Sequence, residues 1–275
     1  MSTNWEQLLG VVVFGLFGVA YLIELLGGHL LKTRRPLRDL FFVIAGMLAQ
    51  SSLSGVVVAT VVGLSLRSIF PGSAGRLADV GFWPSFLVLW PVVEFAHYWL
   101  HRWAHKNKWL WQLHRTHHTA IDLNVGVVFR YNVFWTMLLP QAWIGAGAIY
   151  FGLAPAFAAA TLITFVVNLL THTSFRWDLW LRERFPGSEP VWRFVERIVT
   201  LPDTHHAHHA YGSTGHMNGN YAVTIFAFDV LFGTARIPNL RQTKFGLANA
   251  QRFHWADELF WPVVRKPMLP PERSG

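Results

Sequence analysis

The amino-acid sequence predicts an all-α fold, an integral membrane helical bundle of about four to five spanning or hairpin helices under a cytosolic helical cap that carries most of the histidines. Three observations predict it. Of the 275 residues, 52% are hydrophobic and only 14% charged, about half the charged fraction of an ordinary soluble domain. Apolar runs of the length that a bilayer demands recur along the first two thirds of the chain. The polar chemistry is gathered into histidine clusters that follow those runs.

A spanning helix needs roughly 20 mostly apolar residues. Stretches 8–26, 40–66 and 82–100 qualify, interrupted only by Glu24 in the first and by Glu94 and His97 in the third. No Lys or Arg precedes Lys32, so the first stretch lacks the basic segment of a secretory signal and reads as retained structure. No charged residue occurs between Arg130 and Arg176. That length accommodates helices at 133–152 and 155–171, broken near Gly152–Pro155 where Gly and Pro favour a turn. They form a membrane-crossing hairpin or a re-entrant pair, and in either case both ends return to one side.

The formal net charge of +8 suits nucleic acid, anionic lipid or topology bias equally until the charges are placed. Loop 27–39 carries Lys32, Arg34, Arg35 and Arg38, whereas loop 67–81 carries only Arg67 and Arg76. Basic residues accumulate on the cytoplasmic side, which puts 27–39, 101–130 and everything after 172 inside. Topology then accounts for the charge, and no nucleic-acid partner is expected. The location expected is a bacterial inner membrane, crossed several times.

The chain has no cysteine, which excludes disulfides, thiolate-bound haem and protein-bound iron–sulfur clusters. Any metal must use nitrogen or oxygen ligands. His101 and His105 stand four apart on a continuation of the third apolar helix and share a face. His114, His117 and His118 follow as HRTHH, and His205, His208 and His209 repeat the pattern in HHAHH. A single ion takes four to six ligands, so eight imidazoles imply two metals. His172, four residues after Asn168 at the end of the hairpin, is a ninth candidate. His97 continues the His101–His105 ladder one turn deeper and is read as a hydrogen-bonded intramembrane group. His206, His216, His29 and His254 are read as structural. Glu94 lies two turns before His101 on the same face and is expected to bond an imidazole N–H, with helix packing against an Arg as the alternative.

The run from Glu94 to His105, followed by LWQLHRTHH at 110–118, resembles the fatty acid hydroxylase/sterol desaturase superfamily, whose boxes read HRxxH, HxxHH and HxxHH. LPDTHHAHH at 201–209, NY at 220–221 and FDVLFGT at 228–234 resemble its closing signature. The resemblance covers about 90–235. It implies that His101 and His105 form the first box, His114, His117 and His118 the second, and His205, His208 and His209 the third, with His172 as the additional histidine. It also implies catalytic roles for Glu94, Asn220 and Asp229. Glu94 stands where Asp is common, Ala222 where Gly is usual and Phe228 where Trp is usual. Arg130-Tyr131-Asn132 matches the family's R-x-H-P-x-E segment only in part, which bears on substrate choice. The chain thus reads as a single domain over 1–275, with N-terminal transmembrane helices in 1–81, the signature in 90–235 and a loosely packed cytosolic tail over 237–275.

The resemblance implies two iron ions, for which zinc could substitute, and O2 as co-substrate for hydroxylating or desaturating a lipid from the bilayer. No dinucleotide fingerprint or haem motif occurs, so electrons come from an external reductase, ferredoxin or cytochrome. A membrane zinc hydrolase and a metal-ion transporter are the competing readings. Against transport, the boxes gather at one interface rather than at the bilayer midplane. The lipid's identity and the oligomeric state are left open at this stage.

Overall fold

The computed structural model describes residues 5–33, 35–248 and 251–269. Arg34 and the end of the 237–275 tail lie outside the described residues. Within them the chain is helical, with three isolated β-bridges and no strand. Helix α1 (Trp5–Leu26) is followed by α2 (Pro36–Ile69), a single 34-residue helix with a π-helical stretch at Gln50–Val58. Helix α3 (Phe82–Lys106) leads directly into α4 (Lys108–His118). Helices α5 (Pro140–Tyr150) and α6 (Ala154–His172) form the hairpin. Short helices follow, among them α7 (Pro202–His209) and α8 (Trp255–Phe260).

Three helices are long and apolar enough to cross a membrane: Gln7–Leu26 within α1, all of α2, and α6. They mark the chain as a membrane protein. Helix α3, expected as a third span over 82–100, forms as a helix but is less apolar than these, because Glu94, His97 and His101 load its second half. It packs along α6, which also packs against α1 and α5, while α2 packs on α5. Gly46 allows α2 to meet the 3₁₀ turn Val125–Phe129, since a Cβ there would fall 1.7 Å from the Phe129 carbonyl oxygen.

The expected first hairpin helix, 133–152, is broken in two: Trp135–Leu138 makes one turn, and Pro140 restarts the chain as α5. Helix α5 alone rises only about 16 Å, short of a bilayer core. Even so, the hairpin tip reaches the far end of the bundle. The amides of Gly75 and Leu77, in the loop joining α2 to α3, donate to the carbonyls of Tyr150 and Phe151 at 2.9 Å.

The tail is not a loosely packed extension where it is described. Ala256, Asp257, Glu258 and Leu259 of α8 are buried. Arg115 on α4 pairs with Asp257, and Arg38 at the start of α2 with Glu258. The Glu258 carbonyl accepts from the Thr116 hydroxyl at 2.7 Å and from Asn132 at 3.0 Å. Arg130 is spent in the same cluster, bonded to Asp39 at 2.7 Å and stacked over Phe42, so it fastens α2 to the cap and does not face the histidines. Four elements distant in sequence are thereby pinned behind the second histidine box.

Candidate metal centre

Each histidine group is set by a local stop in the chain. Helix α3 ends at Asn107, whose side chain accepts from the amides of Trp109 and Leu110 at 2.9 and 3.2 Å, an N-cap that starts α4 at a new angle. The first box therefore ends one helix and the second ends the next. The third lies on α7, which starts at Pro202 and is anchored by Asp203. That carboxylate takes Arg176 at 3.0 Å and the amides of Asn239 and Leu240 at 2.8 and 3.0 Å. Arg176 is held from its other side by both oxygens of Asp178 at 2.7 Å. His172 closes α6.

The nine predicted histidines converge in two groups. His101, His105, His114, His118 and His208 form one, centre A. His117, His172, His205 and His209 form the other, centre B. Within each, one ring nitrogen per residue lies within 4.8 Å of every other. Ligand nitrogens around one ion with bonds near 2.1 Å stand at most about 4.2 Å apart, so each group needs only a slight contraction to close. The boxes do not converge as units. In each H-x-x-H-H the first and last histidines, four apart, serve one centre while the middle one, rotated away, serves the other: His114 and His118 with His117 opposite, His205 and His209 with His208 opposite.

Burial, with neighbouring imidazoles as a further cause, holds His114, His118, His205 and His209 well below the ordinary histidine range. Their rings are neutral in the fold, the form that ligates a metal. Neutral imidazole carries hydrogen on one nitrogen only. His117 and His172 turn Nδ1 to the carbonyls of Val127 and Asn168, at 3.1 and 2.7 Å. A carbonyl only accepts, so Nδ1 carries the hydrogen and Nε2 is a bare lone pair. The two Nε2 atoms are nevertheless 3.4 Å apart, and that of His172 is 2.9 Å from Nε2 of His205. Between His117 and His172 the facing lone pairs repel, and a cation between them removes the repulsion. In centre A, His101 and His208 turn Nδ1 to the carbonyls of Tyr221 and Gly219 at 2.6 and 2.7 Å. Their Nε2 atoms, with that of His105, are buried without a partner. The residues fit two metal ions.

Three other expectations need correcting. Glu94 touches neither an imidazole nor an Arg: its carboxylate accepts from the Thr164 hydroxyl at 2.6 Å and the Thr224 amide at 3.0 Å. It ties α3 to α6 and to the loop after Tyr221. Asp229 likewise reaches no histidine. It accepts from the amides of Tyr221 and Ala222 at 2.8 Å and from the Thr234 hydroxyl. Asn220, in the left-handed region at φ 55°, bonds the Thr204 carbonyl at 2.9 Å and both backbone groups of Arg236 at 2.7 Å. Together they hold the loop whose carbonyls fix His101 and His208, so they position ligands and do not touch reacting atoms. His97 joins neither centre and bonds Gln141 at 2.5 Å. His206 and His216 bond backbone carbonyls, and His254 caps α8.

What the sequence could not point to is the set of orienting carbonyls of Gly219, Tyr221, Val127 and Asn168, because backbone groups leave no residue-type signal. Arg176 and Asp203 leave no clear signal either, because the stretch between them is rich in charged residues of both signs. Tyr131 stacks on His117 and Trp135 packs on His114, at 5.5 and 4.6 Å between ring centres, so each centre has one of its rings covered by an aromatic side chain.

Comparison with known proteins gives the following matches. The family model described as fatty acid hydroxylase matches residues 86–234, more than half of the chain. Alkylglycerol monooxygenase from Homo sapiens is 28% identical over 158 residues, covering 57% of this chain and 32% of its own length. Its counterpart from Xenopus tropicalis is 27% identical over 209 residues, covering 67% and 43%. The chain spans less than half the length of these curated relatives. No solved structure matches.

Proposed function

Because the chain belongs to the fatty acid hydroxylase family, we propose that it is an O2-dependent membrane monooxygenase that hydroxylates a lipid, with a glycerol ether lipid as the favoured substrate. The observation that carries this reading is the division of nine histidines, eight of them buried and His105 half-buried, into two adjoining nitrogen-only groups of five and four. The substrate class is drawn from the alkylglycerol monooxygenases that the chain is similar to.

Centre A would be held by His101, His105, His114, His118 and His208, and centre B by His117, His172, His205 and His209. Iron at these positions would supply the activation of O2 that oxidation of an unactivated C–H bond requires. The chain's own part is positional. The loop held by Asp229 and Asn220 presents the carbonyls that keep Nδ1–H of His101 and His208 in place and leave Nε2 free to ligate. Trp135 and Tyr131 exclude water from the rings they cover. The apolar helices α1, α3 and α6 offer a lipid chain a route from the bilayer to the end of α6, where His172 stands. Hydroxylation takes one oxygen atom from O2 into the lipid and reduces the other to water, which consumes two electrons and two protons. Those electrons come from an external donor protein. In this reading all nine histidines face the cytoplasm, the orientation that the loop charges favour.

Lipid profiling of membranes with and without the active protein, under O2, tests the reading. A lipid that gains one oxygen atom only with the intact protein supports it. Hydrolysed lipid with no oxidised product would favour the zinc hydrolase instead.

A further inference from the structure

His206, next in sequence to a centre B histidine, faces a different space. With Asp122, Asn124, Ser174, Arg176 and Gln242 it lines a cavity of about 190 Å³, room for about six waters at ~30 Å³ each. Gln242 is part of the wall. It is only 4% exposed, yet neither its Oε1 nor its Nε2 has a hydrogen-bond partner. The Ser174 hydroxyl in the same lining is also buried without one. Buried amides and hydroxyls are rarely left unpaired, so the walls ask for a ligand that both donates and accepts. Charge does not select an anion: Arg176 is taken by Asp178 and Asp203, and on the described wall Arg241 is offset in sign by Asp122.

We propose that this cavity binds the vicinal diol of a lipid's glycerol unit. One hydroxyl donates to Gln242 Oε1 and its neighbour accepts from Nε2, a match to the side-by-side acceptor and donor of an amide. The Ser174 hydroxyl takes the remaining hydrogen bond. His29 lines the same cavity just past the end of α1 at Leu26, the level at which the chain leaves the apolar slab and membrane lipids carry their glycerol. The identity of the alkyl chain on that diol rests on the lipid monooxygenase reading above, whereas the diol site follows from its own walls.

Binding of a monoalkylglycerol to the metal-loaded protein in detergent, followed by calorimetry, tests this without turnover. Gln242→Leu should weaken binding by about 10-fold or more and Ser174→Ala by about 3-fold, the scale of one or two lost hydrogen bonds, with metal content unchanged in both. A lipid whose diol is masked as a cyclic ketal should bind as weakly as Gln242→Leu does. Equal affinity of the wild type and Gln242→Leu, or of the masked and free diols, would overturn the proposal. Free glycerol binding as tightly as the lipid would overturn the lipid as its source. If Gln242→Leu does not fold, unchanged affinity in Ser174→Ala overturns it alone. A protein that binds the diol but oxidises no lipid would refute only the monooxygenase reading.

Discussion

Nε2 of His172 lies 2.9 Å from Nε2 of His205, although one closes a membrane helix and the other stands on a short cap helix beyond two intervening helices. That contact joins the hairpin to the cap, and it makes His172 a member of centre B. His172→Ala should therefore lower the metal content of the purified protein from two equivalents towards one, as His118→Ala should for centre A. His97→Ala should leave it at two, because His97 is bonded to Gln141 outside both groups. Elemental analysis after metal loading decides this, and full metal content in His172→Ala would demote it to a packing residue.

Asp229 acts on the metal through a loop. Its loss frees the buried amides of Tyr221 and Ala222, which costs about 1–3 kcal/mol per unpaired group, and releases the carbonyl that orients His101. Asp229→Ala should lower metal affinity roughly 10–100-fold, the usual effect of removing a group that orients a ligand, with a lower Tm. A competition titration against a chelator measures it. Unchanged affinity would mean that His101 is held without the loop.

Glu94 is read as a strut. Glu94→Gln keeps an oxygen for the Thr224 amide and a group that can bond Thr164, so metal content and kcat should stay within a few-fold of wild type, while Glu94→Ala should lose stability. A drop in kcat of about 100-fold in Glu94→Gln at full metal content, the scale of a lost general acid or base, would return Glu94 to the reaction.

Much of the metal centre was legible in the sequence because helical spacing is a physical ruler. Residues four apart share a face, and that alone brought out His101 with His105, His114 with His118, and His205 with His209. The division of each box between two centres was not legible, since it depends on how α4 and α7 approach one another. Glu94 illustrates the limit. Its face was read correctly, but the Thr224 amide that occupies it arrives from a loop far along the chain. The tail was misread for a related reason: WADELF over 255–260 is too short and too polar to announce burial, and its place depends on Arg115 and Arg38 waiting elsewhere.

Acid should weaken the metal-free fold. Burial holds His118, His205 and His209 well below the ordinary range, whereas in the unfolded chain they titrate near about 6.5. Below that pH the unfolded state binds more protons than the folded one, so stability is present above it and falls as pH drops. The Tm of metal-free protein should be level above about pH 7.5 and decline between about pH 6.5 and 5. A Tm independent of pH over that interval would show that the rings are not desolvated.

Orientation can be tested in this cysteine-free chain. Ser73 is buried against Tyr150 and would label poorly, so exposed Ala74 and Glu183 are the better sites. Single cysteines there should react with a membrane-impermeant reagent from opposite sides, Ala74→Cys from outside and Glu183→Cys from the cytosol. Labelling of both from one side would contradict the topology.

Isotopically labelled dioxygen tests the central claim most directly. Protein loaded with two equivalents of iron, supplied with reductant and a monoalkylglycerol, should yield a lipid carrying one labelled oxygen atom, and protein loaded with zinc should yield none. Oxygen drawn from solvent water, or equal turnover with zinc, would contradict the assignment of the nine histidines to an oxygen-activating centre.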